Sequence, residues 1–342
     1  MKILVYVLQI LLCSIALAQS DVMRGSDGPG QLETKVLDFG KLADSKRDHR
    51  LVPMKVHLPI GDGPFPVVVL SHGAGGNWNS NFAQAHHLAT HGYVVVCLEH
   101  AGSNTKTAKA GGIRIGKTIA AMTENSDEVL NRPKDVSFAV DQISEWNKTH
   151  ESLRGKFDLL RVGAMGHSFG AFTTLTVCGA RPALDWIRPA VGKGKGLGPD
   201  LRDKRIRCGV ALSPQGPGKP FFIKESYRTI GVPLLGISGS RDKQQHAEPI
   251  HRKESFKYWP AGDRYLLWIS NANHLSFSDS TGSVQRNRER KPAWREDVQK
   301  VSRAATLLFF DKYLKGGAGE FRLSDLEPYA GGIAKYVELL VK

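Results

Sequence analysis

The sequence predicts an α/β class domain with a mostly parallel sheet and helices on both faces, and two patterns predict it. Short apolar runs of strand length alternate with segments of helical period along most of the 342 residues. One glycine-flanked serine turn, Gly166-His167-Ser168-Phe169-Gly170, stands between such a run and such a segment. An apolar content of 41% and a charged content of 23% suit an ordinary globular core.

In chain order, residues 52–58 and 67–70 read as strands, the second an unbroken apolar run of the buried parallel kind. A helix is expected over 81–91 and a strand over 93–98. Val136, Ala139, Val140, Ile143 and Trp146 recur at helical spacing, beginning after a break expected at Pro133. A strand over 159–165 leads through the serine turn into a helix over 171–178. Further strands are expected at 208–212, 234–237 and 265–269, and a last helix at 296–314, stopped by Gly316-Gly317. No internal repeat or linker divides the chain, so residues 32–342 are read as one domain.

The N-terminus reads differently. Lys2, an apolar run over 3–12 and the small-x-small triplet Ala16-Leu17-Ala18 form a signal-peptide pattern with cleavage expected after Ala18. Residues 19–31 follow as a polar, glycine-rich leader. The expectation is a secreted or periplasmic protein with no transmembrane segment in its mature part. Cys97, Cys178 and Cys208 then remain, and an odd count argues against a disulfide framework. Buried thiols are the expected state, with a Cys178–Cys208 bridge as the alternative.

The formal charge of +14 gathers in clusters, including Lys193, Lys195, Arg202, Lys204, Arg205 and Arg207. Such a field attracts anionic surfaces weakly. Nucleic acid is not an expected partner, because no basic motif interleaved with aromatics is present.

The chemistry centres on Ser168. Its turn leaves a strand and enters a helix, the context a nucleophile elbow demands, and both flanking glycines keep the tight turn free of side chains. A serine hydroxyl needs a base, and the base needs an orienting acid. Past the strand at 234–237 comes Asp242, and past the strand at 265–269 comes His274. Both follow the C-terminal ends of strands, where ligand-bearing loops of parallel sheets cluster. Glu248 and Asp263 are the alternative acids. An oxyanion needs two N–H donors: Phe169 supplies one, and Ala74 in Ser71-His72-Gly73-Ala74-Gly75-Gly76 is expected to supply the other, with Gly73 and Gly75 as alternatives. No cofactor or metal is expected.

With these residues in hand, the chain resembles the dienelactone-hydrolase-like and platelet-activating-factor-acetylhydrolase-like branch of the α/β hydrolases. It is more distantly similar to cutinase-like polyester hydrolases. The likeness rests on Ser71-His72-Gly73-Ala74-Gly75, Arg132-Pro133-Lys134-Asp135-Val136, the serine turn, Ser213-Pro214-Gln215-Gly216-Pro217 and Asn273-His274. It implies an α/β-hydrolase fold and an ester substrate, whether small molecule, lipid or polymer, with Ala74 and Phe169 as oxyanion donors. Two departures stand out. Plasma-type acetylhydrolases carry their acid where Ser213 stands here, and polyester hydrolases carry a tryptophan where Gly218 stands. An amide- or peptide-cleaving enzyme on the same three residues, and an inactive binding module, are the rival readings.

Two further patterns lead elsewhere. Gly111 to Thr118 fits a P-loop letter for letter, but no strand runs directly into it. His87 and His91 lie four apart without the carboxylate of a zinc motif, so a solvated helix face is expected. Loops 102–132, 214–229 and 275–295 are expected to wall the site, and the basic insertion 181–207 to lie remote from it.

Overall fold

The computed structural model describes residues 27–244, 247–279 and 294–342. The expected signal segment, the leader up to residue 26 and most of the loop 275–295 lie outside the described residues.

Eleven strands form among these residues: β1 (Thr34–Phe39), β2 (Ala43–Asp44), β3 (Arg50–Leu51), β4 (Met54–Pro59), β5 (Phe65–Ser71), β6 (Val94–Leu98), β7 (Phe157–His167), β8 (Ile206–Leu212), β9 (Leu234–Arg241), β10 (Arg264–Asn273) and β11 (Val337–Val341). Nine of them make one sheet in the order β1-β4-β6-β5-β7-β8-β9-β10-β11, while β2 and β3 pair separately. From β6 to β10 every neighbouring pair is parallel; β4 against β6, β1 against β4 and β11 against β10 are antiparallel. This is the mostly parallel sheet expected. The edge strands β1 and β11 have no counterpart among the expected runs. Their burial alternates or fades, and their apolar content is too thin to stand out.

The helices are α1 (Phe82–Thr90), α2 (Thr105–Ala110), α3 (Ile115–Glu124), α4 (Ser126–Thr149), α5 (Phe169–Val177), α6 (Pro249–Ser255), α7 (Arg295–Leu314) and α8 (Glu327–Ala330). Alternate residues of each strand point to opposite faces, which splits the core in two. Val67 and Val69 of β5 face a cluster containing Val136 and Ile143 of α4 and Phe172 and Leu175 of α5. Val68 and Leu70 face another, with Ala85 and Leu88 of α1 and Val301, Phe309 and Phe310 of α7. Helices therefore cover both faces.

Three expectations are corrected. The helix does not begin after Pro133: α4 runs through it, capped by Asn125, whose side chain accepts from Glu128 N–H, with Asp127 and Glu128 in the first turn to oppose the helix dipole. The buried contacts of Val129 and Arg132 hold the turn that the proline weakens. The basic insertion is not wholly remote. Arg188 N–H donates to Glu124 C=O at the end of α3, Ala183 N–H to Phe221 C=O, and Arg181 N–H to Ser226 C=O. Its first residues thus brace loops that line the site. The helix face of His87 and His91 is not solvated throughout, because His87 is buried where α1 packs on the sheet. The P-loop-like residues are preceded by helix α2, and Gly111 is that helix's C-cap. Cys97, Cys178 and Cys208 are free and buried.

Candidate active site

Ser71 ends β5, His167 ends β7, Arg241 ends β9 and Asn273 ends β10, so the loops after four parallel strands open on one edge of the sheet. The chain leaves β5 for β6 on one side and later returns to β7 on the other, which makes β5 the switch point where such sheets gather their ligands.

Ser168 occupies the turn between β7 and α5 with φ +56° and ψ −116°, a conformation costly for any residue with a side chain. The neighbours explain why the turn survives only with glycines. A Cβ on Gly170 would fall 1.9 Å from Ser71 O, and one on Gly166 would fall 2.3 Å from Gly170 O. The close approach of β5 lifts the serine hydroxyl to the N-terminus of α5.

There His274 Nε2 lies 2.9 Å from Ser168 Oγ, and His274 Nδ1 lies 2.8 Å from Asp242 Oδ1. A carboxylate only accepts, so Nδ1 carries the proton and Nε2 is left with a lone pair for the serine O–H. Asp242 is wholly buried. Burial alone would raise its pKa, but the Arg252 charge, then His274, hold it well below the usual carboxylate range. Ser238 Oγ donates to its other oxygen at 2.7 Å. The alternative acids are elsewhere: Glu248 pairs with Lys243 at 2.7 Å on the surface, and Asp263 accepts from Tyr265 Oη at 3.3 Å.

Several supporting side chains have no clear signal in the sequence. Arg252 is buried on α6; its Nε lies 2.8 Å from Asp242 C=O and 3.2 Å from Asp242 Oδ1, and its Nη1 reaches the Ser213 and Pro214 carbonyls. Gln215 Nε2 donates to Ser168 C=O at 2.6 Å, and Tyr227 Oη holds Gln215 C=O at 2.8 Å. His167 Nε2 donates to His274 C=O at 2.8 Å. Gln215 is at least marked by the Pro-Gln segment, whereas Arg252 stands in an ordinary Ile-His-Arg-Lys stretch.

Ala74 sits beside the serine on the loop after β5, and both line a groove of about 690 Å³ counted to its open mouth. Ile119 of α3 and Gln215, Pro217, Phe221 and Gln244 form its other walls. Of the alternative donors, Gly75 N–H is taken by Ser103 C=O at 2.8 Å. The peptide joining Gly73 to Ala74 is fixed through its carbonyl. His100 N–H donates to His72 Nε2 at 3.1 Å, so the His72 proton sits on Nδ1, which donates to Gly73 C=O at 2.6 Å. Gly76 N–H meets the same oxygen at 3.0 Å. In a trans peptide the N–H points opposite its carbonyl, so these two bonds aim Ala74 N–H away from the loop interior. Burial, with the Arg132 charge, pushes the His72 pKa well down, in keeping with a neutral ring.

Comparison with known proteins agrees with this architecture. Residues 50–111 match the family "Platelet-activating factor acetylhydrolase, isoform II". The mostly parallel sheet with helices on both faces is consistent with an α/β-hydrolase fold. It is 23% identical over 307 residues to the platelet-activating factor acetylhydrolase of Cavia porcellus, covering 81% of this chain and 64% of that one. It is 22% identical to cutinase est1 of Thermobifida alba, over 65% of this chain and 57% of the relative. It is also 22% identical to the bis(hydroxyethyl) terephthalate hydrolase of Streptomyces coelicolor, over 57% of this chain and 54% of the relative. The chain thus spans less than two thirds of the length of these curated relatives. Among the described residues no helix is long and apolar enough to cross a membrane.

Proposed function

We propose that the protein hydrolyses carboxylic esters through an acyl-enzyme on Ser168. The observation that carries this reading is the unbroken chain from Ser168 Oγ to His274 at 2.9 Å and from His274 to Asp242 at 2.8 Å, at the floor of an open groove. Ser168 Oγ attacks the ester carbonyl carbon while its proton passes to His274 Nε2. The oxyanion that forms takes hydrogen bonds from Ala74 and Phe169 N–H. His274 returns the proton to the departing alcohol, and the C–O bond to it breaks. Water then loses a proton to His274, attacks the acyl carbon and frees the acid. Asp242 keeps the imidazole in the required tautomer throughout.

The relatives named as acetylhydrolase, cutinase and terephthalate-ester hydrolase support an ester rather than an amide. Ser168→Ala is expected to abolish fluorophosphonate labelling and to lower kcat on a p-nitrophenyl ester by about 10³-fold or more. Labelling that persists would move the nucleophile elsewhere, and cleavage of a peptide panel in preference to esters would favour the amide reading.

We also propose that residues 1–18 direct export and are removed, on the strength of Lys2, the apolar run and Ala16-Leu17-Ala18. Residues 32–342 would then form the mature catalytic domain, a reading supported by a single sheet that draws strands from Thr34 to Val341. N-terminal sequencing of the exported protein checks the cleavage site.

A further inference from the structure

Arg132 lies on α4 with no exposed surface, and the proposed reaction does not use it. A buried guanidinium usually ends on a carboxylate. Here the two carboxylates nearest in sequence are engaged otherwise. Asp135 accepts from Arg47, Arg50 and His100, and Glu128 from Arg50 and Ser103. Among the described residues, Arg132 instead gives its Nη2–H to the main-chain carbonyl of His72 and its Nη1–H to Ser103 Oγ at 3.1 Å. Its Cζ stands 4.2 Å from the centre of the Phe169 ring.

The His72 and Phe169 contacts fall on the two segments that carry the oxyanion donors. The His72 carbonyl opens the peptide that leads into Gly73-Ala74. That carbonyl is also packed against the elbow, since a Cβ on Gly170 would lie 3.0 Å from it. Phe169 is the first residue of α5, and its own N–H is the second donor of the proposed mechanism. We propose that Arg132 is a positioning residue that sets the distance between the Ala74 and Phe169 amides by gripping the backbone before one and the ring of the other. Arginine is suited to this double grip, because its planar cation bonds along its edge and packs by its face at once, which an ammonium does not. Burial pushes the Arg132 pKa down to about 9, with Glu128 and Asp135 opposing, so the charge persists at neutral pH.

The inference rests on the proposed ester hydrolysis, and the test separates the two. An ester and its thionoester are compared, because sulfur is larger and a poorer acceptor and so reports the fit of the two donors. Wild type, Arg132→Lys and Phe169→Leu are assayed together with their melting temperatures. Phe169→Leu keeps the backbone N–H and the carbonyl bond but removes the ring. Each variant is expected to lose about 10–100-fold in kcat on the ester with KM within about threefold, since an ångström of misplacement costs about 10²-fold. The ester-to-thionoester rate ratio should fall about tenfold, because less of a well-fitted oxyanion site is left to lose. A lowered melting temperature with kcat and the ratio unchanged would reduce Arg132 to a structural cation and overturn the inference. Should Arg132→Lys not fold, Phe169→Leu decides by the same two readouts. A wild type that cleaves neither substrate and leaves Ser168 unlabelled would instead refute the hydrolysis itself.

Discussion

Asp242 and Arg252 separate two jobs that one buried carboxylate has to do. Toward His274 it orients a ring through the 2.8 Å bond, and toward Arg252 it balances a charge that has almost no water around it. Asp242→Asn should leave the chain folded and lower kcat by about 10³–10⁴-fold, because an amide N–H cannot accept from Nδ1–H and the wrong tautomer follows. Near-normal turnover would hand the acid's role to another carboxylate. Arg252→Met acts on the other job, leaving a buried anion short of its cation, at a cost of about 3–5 kcal/mol. The sign of its pH dependence follows from the depressed folded-state pKa. A carboxylate held below its unfolded value of about 3.9 contributes stability above that pH and loses it as pH falls toward the folded value. Without Arg252 the folded value rises, so Arg252→Met should melt lower at pH 7 and show less further loss between pH 5 and 3 than wild type. Parallel melting curves of the two proteins across that range would contradict the pairing.

At the scale of elements, the serine turn is a contact between three pieces of backbone. β7 delivers it, α5 leaves it, and the carbonyl of Ser71 at the end of β5 closes over Gly170. Gly170→Ala would set a methyl 1.9 Å from that oxygen, against main chain that cannot swing aside. Overpacking of this kind costs about 1–3 kcal/mol and here opens β5 from α5. A drop in melting temperature together with loss of fluorophosphonate labelling is expected, and an unaffected variant would mean the elbow is looser than drawn. This element is legible in the sequence because two glycines between an apolar run and a helical pattern leave few other turns. Asp242 and His274 can be placed at strand ends for the same reason: buried parallel strands are unbroken apolar runs. β1, β11 and the continuation of α4 through Pro133 are not legible. The first two are half-exposed edges, and the third depends on tertiary burial of Val129 and Arg132 that outweighs a local breaker. Arg132 is visible as part of a segment while its role is not, because a grip on His72 and Phe169 joins residues far apart in sequence.

Across the whole molecule, four buried imidazoles among the described residues have a pKa pushed down by the fold. His57 on β4, His72 on the loop after β5, His100 beside that loop and His167 at the end of β7 are buried, on strands and loops spread over the sheet. Burial is the leading cause of a lowered pKa at each. His57 is pushed to about 4 and His167 to about 3, and His72 and His100 lie well below the ordinary value. In the unfolded chain each would titrate near 6.5. Between about pH 6.5 and pH 4 the unfolded state therefore holds protons that the folded state refuses, and stability must fall as pH falls through that window. Each group contributes at most about 1.4 kcal/mol per pH unit, so the limit for four together is between about 5 and 6 kcal/mol per unit. Asp279, raised by burial, works in the opposite sense with a single proton. Because strands from Thr34 to Val341 share one sheet, the loss should arrive as a single transition. Urea denaturation at intervals from pH 7.5 to pH 4.5 should give an unfolding free energy that drops steeply below pH 6.5, with a slope of several protons. Among the described residues, His57 has neither ring nitrogen hydrogen-bonded and its ring packs edge-on against Phe82 at 5.3 Å, so His57→Leu can remove one titrating group without breaking a hydrogen-bond network. That variant should be flatter than wild type by about one proton, or about 1.4 kcal/mol per pH unit, over the same range. A wild-type profile level from pH 7 to pH 5 would mean that these histidines take up protons in the folded state, and that the interior around the active site is wetter than its packing implies.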